Sequence, residues 1–187
     1  MQDCFATLQL PRSLRLETGE IESAWQALAR KAGQDGSESG PADLAESLHE
    51  ARRILLDPVS RLEHWLSLRG DERPRGSAMD ASLMDLFGDL GSSLAGADSV
   101  LARHAKAATA LSRALLASAT LTAQLDLQER LREVNVAIEA RTSRFPEIEA
   151  SLPDGGAELA FEFLGQLKFL RKWERQVQER LLALIAL

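Results

Sequence analysis

The sequence predicts an all-α protein in two parts, and three features carry that prediction. Apolar residues recur at three- and four-residue spacing through most of the chain, with no strand-like alternation of any length. The composition is rich in Ala and Leu, lacks Tyr and holds only 5% aromatics. Ala and straight-chain residues lose little freedom on entering a helix, so this mix favours helix over strand. One polar stretch, Asp71-Glu72-Arg73-Pro74-Arg75-Gly76-Ser77, contains both Pro and Gly and reads as a linker. The expected layout is a helical hairpin domain over 1–70, a linker over 71–77, and a three-helix bundle over 78–187.

Each element follows from local signals. Residues 2–8 read as a short helix ended by Leu10-Pro11. Glu17 or Thr18 opens a second helix to about Ala32, with Ile21, Trp25 and Leu28 on one face. Residues 33–40 (Gly33-Gln34-Asp35-Gly36-Ser37-Glu38-Ser39-Gly40) are a loop, and Pro41 stands where a first helical turn tolerates it. The next helix carries Leu44, Leu48, Ala51 and Leu55, and Asp57-Pro58 breaks it. Arg61 to Leu68 adds a short helical piece stopped by Gly70. Beyond the linker, helices are expected over 78–94, from Asp98 to about Arg141, and over 159–187, with Asp98 as an N-cap. The middle one is long enough to suggest a break near Ala119–Thr122, and Pro146 and Pro153-Asp154-Gly155-Gly156 mark a turn. In the last helix Phe163, Leu167, Leu170, Val177, Leu181 and Leu184 form a bundle seam.

Composition excludes several classes of function. The chain has 187 residues, 45% hydrophobic and 27% charged, which suits a packed globule. Its net charge of -6 gives no overall basic field for nucleic acid or an acidic membrane surface. Cys4 is the single cysteine, so no internal disulfide forms, which fits a reducing compartment. The N-terminus lacks the pattern of a signal peptide, and no apolar run reaches the roughly 18 residues of a membrane span, so a cytoplasmic location is expected. No phosphate loop, His-Glu-x-x-His motif or nucleophile with a base is present. His49, His64 and His104 are dispersed, so neither a metal nor another cofactor is expected, nor an enzyme.

The N-terminal part resembles a J-domain. The likeness rests on Asp3-Cys4-Phe5-Ala6-Thr7-Leu8-Gln9-Leu10-Pro11, with Cys4 where the family has Tyr, and on Ala51-Arg52-Arg53-Ile54-Leu55-Leu56-Asp57-Pro58-Val59-Ser60-Arg61. The following Leu62 to Gly70 and the later Leu167-Lys168-Phe169-Leu170-Arg171-Lys172-Trp173 are similar to the HscB branch, the J-proteins that serve iron–sulfur cluster assembly. The resemblance implies two partners, an Hsp70-type chaperone and an iron–sulfur scaffold protein. In the family a His-Pro-Asp tripeptide after the second helix, with basic residues of that helix, triggers ATP hydrolysis by the Hsp70. Here Gly33, Gln34 and Asp35 fall at those places, after Arg30 and Lys31. Only the acid is kept, the imidazole is gone, and Gly33 replaces restriction with freedom. Stimulation of an Hsp70 is therefore expected to be weak or lost.

For the scaffold, the resemblance implies docking through Leu83, Met84, Phe87 and Phe169. Some acids expected beside them are replaced by Gly88, Gly91 and Ala95, with Asp85 and Asp89 nearby. Spacing alone reads Leu83, Phe87, Leu90 and Leu94 as a core stripe, and Met84, one step around the helix, as the exposed member. Trp25, Trp65 and Trp173 read as core anchors. The alternative reading, independent of any Hsp70, is a structural helical protein that forms a homodimer through the seam of its last helix.

Overall fold

The computed structural model describes residues 2–34, 41–70, 81–151 and 156–187. Asp35 and the linker 71–77 lie outside the described residues. The described chain is helical with no strand, in the order α1 (Cys4–Thr7), α2 (Thr18–Gln34), α3 (Pro41–Leu56), α4 (Pro58–Arg69), α5 (Ala81–Lys106), α6 (Ala110–Ala114), α7 (Ala117–Thr142), α8 (Phe145–Ala150) and α9 (Gly156–Ile185). No described helix is long and apolar enough to cross a membrane. The chain divides into two compact units, one of 1–77 with 142–164 and one of 78–141 with 165–187.

In the first unit, Asp3 caps α1 by accepting hydrogen bonds from the Phe5 and Ala6 amides at 3.0 and 3.2 Å, and its other oxygen accepts from Arg12 Nε at 2.8 Å. Helices α2 and α3 run antiparallel. Arg52 forks onto the Glu22 carboxylate at 2.9 and 2.5 Å while its guanidinium lies 4.8 Å from the Trp25 ring centre. The short helix predicted from Arg61 starts earlier, because Asp57 caps Ser60 at 2.9 Å and Pro58 is pre-set for a first turn. Gly70, at φ 71, ends it in the left-handed region that favours glycine. Phe5, Leu8, Leu14, Ile21, Leu55 and Leu62 fill the core. Arg61 is buried among them, with its Nη1 donating to the Leu16 and Leu55 carbonyls at 2.8 and 3.2 Å.

The sequence reading counts 142–164 with the C-terminal bundle, whereas packing groups it with the first unit. Phe145 and Ile148 are buried there. The Glu149 carboxylate accepts from the Leu14 amide, and from Ser13 Oγ at 3.2 Å, at the turn before α2.

The second unit is a three-helix bundle of α5, α7 and the later part of α9. Asp98 does not start a helix: α5 runs through it, and Asp98 pairs with Arg180 at 3.2 Å. The expected break near Ala119–Thr122 falls instead between Lys106 and Ala117, and α7 passes through 119–122 unbroken. The cause is Thr109, which leaves helical geometry at φ -113, ψ 157 and exchanges capping hydrogen bonds with Ser112. Pro146, read as marking a turn, sits in the first turn of α8. His104 meets Thr120 at 2.8 Å, and Gln124 Nε2 donates to the Leu184 carbonyl at 3.0 Å, so α7 runs antiparallel to both its neighbours. Leu90, Leu127, Val134, Leu167, Leu170 and Val177 fill the core. The seam of α9 is thus buried within the chain itself, which leaves the homodimer reading without the surface it invoked.

Candidate functional site

The sequence reading places its candidate residues on two surfaces, one in each unit. In the first, α2 extends past Ala32 to Gln34, so Gly33 and Gln34 are the last helical residues and not the first of a loop. Arg30 and Lys31 are exposed, and Arg30 Nε donates to the Gln26 carbonyl of its own helix at 3.3 Å. Glu20 and Glu22 sit on the same helix, so its formal charges cancel.

The first unit also holds a buried histidine that sequence reasoning treated only as a non-ligand. His64 Nε2 accepts from the Cys4 amide at 3.0 Å, and its ring stacks on Phe5 with centroids 5.7 Å apart. Burial lowers its pKa below 6.5, against the opposing pull of Asp3, which favours the neutral ring that this hydrogen bond requires. Burial likewise pushes the Cys4 thiol above its ordinary value. No group of three or more metal-ligating side chains occurs among the described residues.

The second surface is built on α5 and α9. Phe87 and Phe169 are half-buried, with ring centroids 4.6 Å apart at a tilt of 54°. Trp173, one turn beyond Phe169, stacks on Phe87 at 5.7 Å and meets Phe169 at 6.1 Å. This tilted and offset geometry suits the quadrupoles of the rings. Met84 stands beside Phe87 on the outer face of α5 and is 58% exposed. Leu83 is only 2% exposed and belongs to the bundle core, where the stripe reading has it. The structure therefore brings together Met84, Phe87 and Phe169, and adds Trp173, which the sequence reading held to be a core anchor only. The four-residue step from Phe169 to Trp173 was the signal for it. Asp85 and Asp89 are exposed alongside, and Asp89 lies 3.8 Å from Arg130. A Cβ on Gly88 or Gly91 would meet nothing within 4 Å, so both positions open onto free space.

Two solved structures share this helical arrangement. Chaperone HscB from Vibrio cholerae matches with a TM-score of 0.61 at 20% identity, over 95% of this chain and 96% of that one. The chain has the HscB fold. The human co-chaperone protein HscB matches with a TM-score of 0.58 at 18% identity, over 95% of this chain and 81% of that one. No protein-family model matches the sequence, and no curated protein matches it. The HscB likeness therefore lies in the backbone path, with the half-buried aromatic cluster of α5 and α9 on it.

Proposed function

We propose that this protein is a co-chaperone-like adaptor for an Hsp70 system in iron–sulfur cluster assembly, one that holds a scaffold or client on its C-terminal unit. The observation that carries the reading is the half-buried cluster of Phe87, Phe169 and Trp173 beside the exposed Met84 on an HscB fold. Half-buried rings next to an adaptable methionine bind apolar partner side chains at little ordering cost. The same reading holds that the Hsp70 contact is weakened. Gly33 and Gln34 continue α2 where the family places His-Pro, and α2 offers no net positive charge.

The test is single-turnover ATP hydrolysis by the source organism's own Hsp70 proteins, run with a parallel binding assay on its iron–sulfur scaffold. Scaffold binding with little or no ATPase stimulation is expected. Strong stimulation would overturn the weakened contact and make the protein a full co-chaperone. Absence of scaffold binding would overturn the adaptor role.

A further inference from the structure

Six of the exposed apolar side chains of the second unit lie on helix segments that meet at one end, whereas Met84 and Val136 lie elsewhere on it. Leu111, Leu115, Leu121, Leu125, Leu182 and Ile185 are each more than half exposed. The hydrogen bonds between His104 and Thr120 and from Gln124 to the Leu184 carbonyl draw the end of α5, the start of α7 and the end of α9 into one corner, with α6 between the first two in sequence. Helix α6 contributes no buried residue, and its Leu111 and the C-capping Leu115 stand one turn apart at 72% and 76% exposure. Isolated exposed leucines are ordinary, but a group of this size marks a surface used for binding.

Charge says what kind of partner fits. Residues 99–125 contain Arg103, Lys106 and Arg113 and no Asp or Glu, within a chain of net charge -6. All three cations are exposed, and none is paired with a carboxylate among the described residues. The acids at the margin are already engaged: Asp98 and Glu179 with Arg180 at 3.2 and 3.3 Å, and Asp126 with Arg130 at 3.9 Å. The corner is therefore apolar and cationic on an otherwise acidic protein. Along α5 it lies about 28 Å from Phe87 at the helical rise of ~1.5 Å per residue, so it is a separate surface from the aromatic cluster.

We propose that this corner docks an acidic, leucine-bearing amphipathic helix of another protein. Leu111 with Leu115, and Leu121 with Leu125, form two pairs at four-residue spacing that can interleave with leucines one turn apart on such a helix. Its acids would meet Arg103, Lys106 and Arg113. A second copy of this chain related by a twofold axis would set the same cations against each other. An anionic membrane would present its charge to the whole acidic molecule, whereas a helix covers only the corner, within a screening length of about 8 Å.

The test uses the full chain and a labelled synthetic helical peptide with Leu at positions one turn apart and Glu on both flanks, read by fluorescence anisotropy. The same peptide with Lys in place of Glu is the control. The Glu peptide is expected to bind, and the Lys peptide is not. Leu111→Ser with Leu115→Ser, or Arg103→Glu with Arg113→Glu, should each weaken binding at least about tenfold. Because all four side chains are exposed, these variants should keep the wild-type circular dichroism spectrum. Met84→Ser should leave peptide binding unchanged, which separates this proposal from the scaffold reading. Equal binding of both peptides, no binding at all, or binding indifferent to the four substitutions would overturn it. So would pelleting with phosphatidylserine vesicles in place of peptide binding, or a dimer in solution that the Leu111/Leu115 variant abolishes.

Discussion

Leu83 and Met84 are neighbours in sequence with opposite surroundings, and exchanging each tests the docking surface. Leu83 is 2% exposed and fully packed, whereas Met84 is 58% exposed. Leu83→Ala removes buried methyl groups and leaves a cavity, at a cost of about 2–5 kcal/mol. For a chain of this size, about 3 kcal/mol lowers the melting temperature by roughly 6–12 °C. Met84→Ser removes mostly solvent-facing atoms and some helix propensity, at about 0.5 kcal/mol, so the melt moves by only 1–2 °C or so. The assay is thermal unfolding followed by far-ultraviolet circular dichroism, paired with scaffold binding below the transition. Met84→Ser should bind less with a melt moved by no more than about 2 °C, and Leu83→Ala should shift the melt first. If Met84→Ser destabilises as much as Leu83→Ala, the proposed surface is core and the argument fails.

Three other perturbations probe the remaining features. Rebuilding the tripeptide with Gly33→His and Gln34→Pro should shorten α2, since Pro removes a helical amide and disfavours helix at the residue before it; Hsp70 ATPase stimulation should rise several-fold, and no gain would show that the outer face of α2 is also changed. Glu at both Gly88 and Gly91 enters open space and restores acids beside Met84; tighter scaffold binding is expected, with helix stability raised by up to ~1 kcal/mol per replaced glycine, and weaker binding would count against a basic partner surface. Because burial lowers the pKa of His64, the unfolded chain binds more protons than the folded one below about pH 6.5, so stability should fall as pH drops from there toward the folded-state value. His64→Gln, which keeps an acceptor for the Cys4 amide, should flatten that slope in urea titrations followed by tryptophan fluorescence, and an unchanged slope would place the sensitive group elsewhere.

The parts of the fold legible in the sequence were those written in local signals. The α9 seam shows in its spacing, and the Asp57-Pro58 stop appears as a cap and a first-turn proline. What escaped depends on contacts distant in sequence. Asp98 reads as a cap because its partner, Arg180, is invisible locally. Thr109 carries the real break, yet a lone Thr among alanines gives little warning until Ser112 is seen to answer it. Glu149, 135 residues from Leu14, could not be foreseen as its hydrogen-bond acceptor. At the candidate site, Met84 was recognised as outward-facing from its place around the helix, whereas the contribution of Trp173 depends on the approach of α5 to α9.

The Glu149 contact also bears on the order in which the chain takes shape as it is made. The first unit is interrupted in sequence: it pauses at residue 77 and resumes at 142. A nascent chain leaving the ribosome therefore exposes α1 to α4 while the segment that finishes their packing is still untranslated. At about 5–20 residues per second that interval is on the order of ten seconds. During it the Leu14 amide lacks its Glu149 acceptor, and the apolar surface that Phe145 and Ile148 later cover lies open to water. The N-terminal part is thus not a cassette that can be lifted between proteins by cutting at residue 77. A fragment ending at residue 77 should be less stable than the same residues within the whole chain.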